Sequence, residues 1–126
     1  MYRYKYDEDG NRIERRNYGT DERLKDDKYN IAMYRYKYDE DGNKIEARNH
    51  GTDEQLKENT SNIAIYLYKF DEDGNAIEQR NYGTDEQLKG NKNGYAMIRW
   101  KYDEDGKHKE TIAYDMSGEK VNEWKY

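Results

Sequence analysis

This sequence predicts an all-β fold: an antiparallel meander of tandem 32-residue β-hairpin repeats, arranged as a single layer or a spiral, solenoid-like sheet. Three observations carry the prediction. The segment MYRYKYDEDGN at residue 1 recurs unchanged at 33, as IYLYKFDEDGN at 65 and as MIRWKYDEDGK at 97. Within each copy aromatic and basic residues alternate with period two, as a strand with two different faces requires. An Asp-Glu-Asp-Gly tetrapeptide, rich in turn-forming residues, closes every alternating run.

The elements follow in chain order. YRYKY sends Tyr2, Tyr4 and Tyr6 to one face and Arg3 and Lys5 to the other. In the second copy the alternation extends upstream, so Ile31 and Met33 share a face with Arg35 and Lys37. The turn starts at Asp7, and its glycine (Gly10, with copies Gly42, Gly74 and Gly106) takes positive φ before a bulge. NRIERRNY returns as the second strand. A four-residue loop sets Tyr6 opposite Asn11 and Tyr4 opposite Ile13, giving an apolar face. The other register pairs Asp7 with Asn11 and sets Lys5 opposite Ile13. Hydrophobic pairing favours the first. YGTDERLKDD then reverses the chain, with Thr20 capping a turn through Leu24 that is too short to be a helix.

One domain spans 1–126, with units at 1–32, 33–64, 65–96 and 97–126. The last unit diverges after its turn, as a cap with no following neighbour should. About eight strands follow from this count, with a ninth at EKVNEWKY. Tyr4, Tyr36, Tyr68 and Trp100 are expected to form an aromatic ladder across units, with Ile13, Ile45 and Ile77 between its rungs. Arginine and lysine facing glutamate are expected on the opposite side.

Composition narrows the function. The chain is 40% charged and 33% hydrophobic, and 15 of its 126 residues are tyrosine, so a thick aliphatic core is not available. Aromatic content, absence of proline and strict alternation argue against disorder. The net charge of −5, with both signs interspersed, disfavours nucleic acid. There is no cysteine for a disulfide or a thiolate metal site. No stretch has the apolar length of a membrane span, and no signal-peptide core precedes the first repeat. Localisation therefore stays open on these grounds.

The pattern Tyr-x-Tyr-Asp-x-x-Gly-Asn in YKYDEDGN resembles the YD repeats of bacterial RHS-type proteins. AYDMSGEKV in the last unit looks like a second copy of the same turn, which makes NYGTDERL a modified half-repeat. Two departures stand out. YD repeats place an apolar residue after the Gly-Asn or Gly-Arg pair, where this chain has Arg12, Lys44, Ala76 and His108; units one to three also lack the second Tyr-Asp. YKYDEDG is similar, less closely, to the choline-binding repeats of Gram-positive cell-wall proteins, which lean on tryptophan; only Trp100 and Trp124 occur here. The YD resemblance implies a bacterial surface or secreted β-repeat acting as shell, spacer or carbohydrate-contacting module.

DEDGN alternates Asp7, Asp9 and Asn11 as a calcium loop does, but a twelve-residue calcium loop starting at Asp7 would have Arg12 where glycine is needed. A solvated hairpin turn is the simpler reading. Carboxylates are too numerous and too regular to single out a glycosidase pair. His50 fills the slot of Tyr18, Tyr82 and Tyr114, and His108 that of Arg12. Neither has a sequence partner that would make a catalytic or metal site. The tyrosine rows remain. They are read first as the core, in place of missing aliphatics. The other reading makes Tyr2, Tyr4, Tyr34, Tyr36, Tyr66, Tyr68 and Trp100 ligand contacts for sugar rings or protein. The expected protein is a non-enzymatic structural or adhesive module without a cofactor. Its alternative is a carbohydrate-binding module, and partners engage the aromatic face or a sheet edge, self-association included.

Overall fold

The computed structural model describes residues 1–126. Nine strands form one antiparallel meander: β1 (Tyr2–Tyr6), β2 (Arg12–Asn17), β3 (Met33–Tyr38), β4 (Lys44–His50), β5 (Ile65–Phe70), β6 (Ala76–Tyr82), β7 (Met97–Tyr102), β8 (His108–Tyr114) and β9 (Lys120–Lys125). Each strand touches only its neighbours in sequence, so the sheet is a single open layer, not closed into a barrel. There is no helix, and hence none long and apolar enough to cross a membrane.

One five-residue turn builds most of the reversals. At the tip of the first hairpin the Asp7 N–H donates to the Asn11 carbonyl (2.9 Å) and the Gly10 N–H to the Asp7 carbonyl (3.2 Å). The Asp7 side chain accepts from the Asp9 and Asn11 N–H groups at 3.0 and 2.9 Å. That pattern forces residue four of the turn into the left-handed region, where Gly10 has φ 85°. The same bonds recur at 27–31, with Asp27 as the acceptor and Asn30 at φ 71°. The two backbone bonds recur again at 19–23, where the expected turn near Thr20 is found and Glu22 holds φ 63°; Gly19 has no side chain, and Asp21 accepts from the Arg23 N–H instead. Units one to three therefore carry three such turns each, one more than the sequence reading recognised.

The hairpin register differs from the favoured expectation. Tyr6 stands opposite Arg12, then the pairing slips so that Lys5 meets Glu14 and Tyr4 meets Arg15. The Asp7 to Asn11 bond sets this, because closing the turn there leaves Ile13 as the extra residue of a bulge. Ile13 consequently lines a hollow with Lys5, Glu14 and Arg35, and does not sit between aromatic rungs. The same slip recurs in the hairpins that hold Ile45 and Ile77.

The fully buried residues lie in the connectors and the strand ends they join. Ile31, Ala32, Met33, Ile63, Ala64 and Ala96 have no exposed surface, and Ile65 has 3%. No tyrosine is fully buried, which corrects the expectation that the tyrosine rows are the core. Asn17, Asn49 and Asn81 pin these connectors. The Asn49 N–H donates to the Ala64 carbonyl, its carbonyl accepts from Lys57, and its side-chain amide donates to the Ile63 carbonyl at 3.0 Å. The fourth unit has no connector and carries Ala113 in that slot.

Candidate functional site

The two faces of the sheet differ in chemistry because the strands alternate. One face collects the tyrosines of the alternating runs, and the other carries the glutamate clusters with their arginines and lysines, joined there by Tyr18 and Tyr114. On the charged face Glu14 is almost fully buried beneath Lys5 (3.4 Å), Arg16 (3.0 Å) and Arg35 (3.2 Å). Glu78 repeats the arrangement with Lys69, Arg80 and Arg99 at 3.5, 3.0 and 3.3 Å. Burial alone would raise the pKa of both carboxyls. The surrounding arginines, with Lys5 and Lys69, outweigh that and hold them below the usual carboxylate value. Glu46 has only Lys37 and Arg48, because Leu67 stands opposite it where Arg35 and Arg99 face the other two. These clusters are ladders of structural ion pairs, one per hairpin.

The aromatic face is staggered. Tyr4 pairs with Arg15 and Arg15 with Tyr34, so Tyr34, the counterpart of Tyr2, occupies the row of Tyr4. The next row runs Tyr36, Ala47, Tyr66 and Asn81. Tyr68 leads a third row through Gln79 and Ile98, and Trp100 a fourth through Thr111 and Trp124. Successive units are shifted by two residues, about 7 Å along the strand at normal strand rise. The expected single ladder of Tyr4, Tyr36, Tyr68 and Trp100 is thus absent. Aromatic neighbours lie along a strand instead: Tyr34 and Tyr36 stack at 6.5 Å, Tyr66 and Tyr68 at 6.4 Å.

Cations cover the rings in the first two units. The Arg12 guanidinium lies 4.0 Å over Tyr4, and Lys44 lies 4.2 Å over Tyr36. Arg15 is held between Tyr2 (4.5 Å) and Tyr34 (4.7 Å). Arg15 also pairs with Asp27 at 3.5 Å, and the Tyr34 hydroxyl donates to the same carboxylate. Unit three has Ala76 and Gln79 in place of these cations, so the stacked Tyr66 and Tyr68 rings carry none. Burial pushes the Tyr68 hydroxyl up to about 12, and burial also raises Tyr36. Tyr2 and Tyr4 are exposed, whereas Tyr34, Tyr36, Tyr66, Tyr68 and Trp100 are half-buried.

The remaining candidates are structural in their contacts. Both oxygens of Asp7 are taken up inside its turn, and hydrogen bonds from Asn11 in the first place lower its pKa. No three His, Asp or Glu side chains come together in a group that could hold a metal ion. His50 is buried in the tyrosine slot, with Nδ1 3.1 Å from the Glu54 carbonyl and Nε2 without a partner. His108 packs between Tyr102 and Tyr126 and meets Thr111.

Sequence reasoning missed the pinning asparagines. Their signal was present: asparagine recurs at 17, 49 and 81, the three units with a connector, and is missing from the fourth. Comparison with known proteins adds no identity, since no protein-family model matches the chain and no curated protein is significantly similar to it.

Proposed function

We propose that this chain is a non-enzymatic structural or adhesive β-repeat module, of the bacterial surface or secreted kind that the YD-repeat resemblance implies. The observation that carries this reading is where the polar groups are used. Arg16 reaches Glu54 in the next unit (2.9 Å), and Arg48 reaches Glu86 (3.3 Å). Lys57 reaches back to Asp26 (2.7 Å) and Lys89 to Glu58 (2.6 Å). The Tyr38 hydroxyl donates to the Arg12 carbonyl, and the Tyr102 hydroxyl to that of Ala76, both at 2.6 Å. Groups that recur from unit to unit and touch the adjacent unit serve stacking. A catalytic centre instead needs a constellation that is distinct from its repeats.

A second reading, carbohydrate binding, is favoured by one local feature. Tyr66 and Tyr68 form a stacked pair free of cations, so a sugar ring meets no competitor for their faces. In the first two units a sugar would have to displace Arg12, Arg15 or Lys44. The test is a glycan panel on wild type and on Tyr36→Ala and Tyr68→Ala, with melting curves for each. The module reading expects no glycan bound and lower melting temperatures in both variants. Glycan binding lost in Tyr68→Ala with the fold intact would replace it by the second reading.

A further inference from the structure

The contacts between units make a directional pattern, and the two ends of the sheet treat it differently. The full interface, between units one and two, uses three side chains of the following unit: a glutamate that takes the preceding arginine, a lysine that takes the preceding connector acid, and a tyrosine hydroxyl, whose slot in unit three holds Phe70. In unit two these are Glu54, Lys57 and Tyr38. In unit three the two charged groups are Glu86 and Lys89.

The C-terminal interface keeps the hydroxyl, with Tyr102 donating to the Ala76 carbonyl at 2.6 Å, but has lost both charged groups. Gly118 stands in the glutamate slot and Val121 in the lysine slot, and Gly90 replaces the connector acid of Asp26 and Glu58. In their place β9 covers the third connector. Trp124 meets Tyr95 edge-on at 5.9 Å, and the Asn122 side-chain amide donates to the Tyr95 hydroxyl at 2.9 Å.

The N-terminal edge keeps all three. Tyr6, Glu22 and Lys25 are exposed, and neither Glu22 nor Lys25 has an ion-pair partner within the chain. Beside β1 lies a hollow of about 790 Å³ lined by Tyr2, Arg15, Lys25, Lys28 and Tyr29 among others. Lys25 and Lys28 correspond to Lys57 and Thr60, which receive the first connector through Asp26 and the Tyr29 carbonyl (3.1 Å).

We propose that the β1 edge is an acceptor face for one more repeat unit of this same kind, which sets its connector acid on Lys25 and its second-strand arginine on Glu22. A further unit finds its charged partners at this edge and not at the other, where unit four supplies neither the arginine nor the connector acid. The occupant is a repeat unit bearing that acid, and not this chain's own C-terminal end, because unit four has Asn122 in the slot of Asp26 and Ile112 in the slot of Arg16. The inference rests on the module reading, but its test does not depend on any ligand.

The experiment adds a copy of residues 1–32 ahead of Met1 in the full chain, with the same copy after Tyr126 as the control. Stacking units share interface energy, so the N-terminal addition should melt in one transition, raised by about 4 °C or more, while the C-terminal addition gives no such rise. Hydrogen exchange at the Lys28 amide should slow only in the N-terminal fusion. Lys25→Glu in the host should reduce the gain, and lysine in place of the added copy's connector acid should restore it. A separate transition for the added unit, equal gains at both ends, insolubility of the N-terminal fusion alone, or a wild-type dimer closed through β1 would each overturn the proposal. Glycan binding by the wild type would count against the module reading and leave this result standing.

Discussion

Replacing Glu22 by glycine should stabilise the protein, although it removes a side chain and adds no contact. Glu22 sits at φ 63° in the fourth position of its turn, where the tips of the main hairpins carry glycine. An L-residue with a Cβ in the left-handed region costs about 1–2 kcal/mol. Glycine removes that cost but gives the unfolded chain more freedom, worth about 0.4–1 kcal/mol against the fold. The balance is a gain of about 0.5–1 kcal/mol, or about 2–4 °C in melting temperature for a chain of this size. Nothing is subtracted for lost ion pairs, since Glu22 makes none. Glu54 and Glu86 hold the same backbone conformation at φ 65° and 62°, but they pair with Arg16 and Arg48. Their glycine variants lose exposed ion pairs of about 0.2–1 kcal/mol, and should gain little or nothing. Thermal melts followed by circular dichroism on the three variants check the ranking. An unchanged or lower melting temperature in Glu22→Gly, or an equal gain at all three sites, would refute the reasoning. Gly42→Val is the inverse test: no neighbour lies within 4 Å of a Cβ built there, so φ 83° alone should lower stability by about 1 kcal/mol or more.

Three further outcomes follow from the same contacts. Asn49→Ala should cost about 1 kcal/mol in chemical denaturation by removing the buried side-chain bond to the Ile63 carbonyl, which keeps the Asn59 N–H as its other donor, and Asn17→Ala, whose side-chain bond to the Lys25 carbonyl is exposed, should cost less. The low pKa of Glu78 stabilises the fold above the ordinary carboxylate value of 4.5, and that contribution is lost as pH falls through the lower folded value. Glu78→Gln should lower stability near neutral pH and flatten this acid limb in melts taken from pH 7 downward. Burial lowers the pKa of His50, so the unfolded chain takes up its proton first and stability falls as pH drops below 6.5; His50→Tyr, matching Tyr18 and Tyr82, should stay folded and lose that dependence.

The sequence by itself determined the strand pattern. Period two in YRYKY and the recurring DEDG fix where strands and turns fall and which residues of a strand point to opposite faces, because both are short-range properties of backbone and turn chemistry. The strands, their meander order and the charge ladder around Glu14 and Glu78 were legible for that reason. The register was not. Hydrophobic matching set Tyr4 against Ile13, whereas the Asp7 side chain, by binding the Asp9 and Asn11 amides, closes the turn one residue further out and bulges Ile13 away. Only the tertiary structure decided the stagger of the tyrosine rows, since the pairing of Arg15 with Tyr34 depends on how the connector returns the chain. It also decided where the core lies. Ile31, Ala32 and Met33 look like a minor run beside fifteen tyrosines, yet they are fully enclosed by the connector that Asn17 closes and by the adjoining strands. Tyrosines on a single-layer sheet have no second layer to cover them, so they stay partly exposed, and those of the first two units carry cations on their rings.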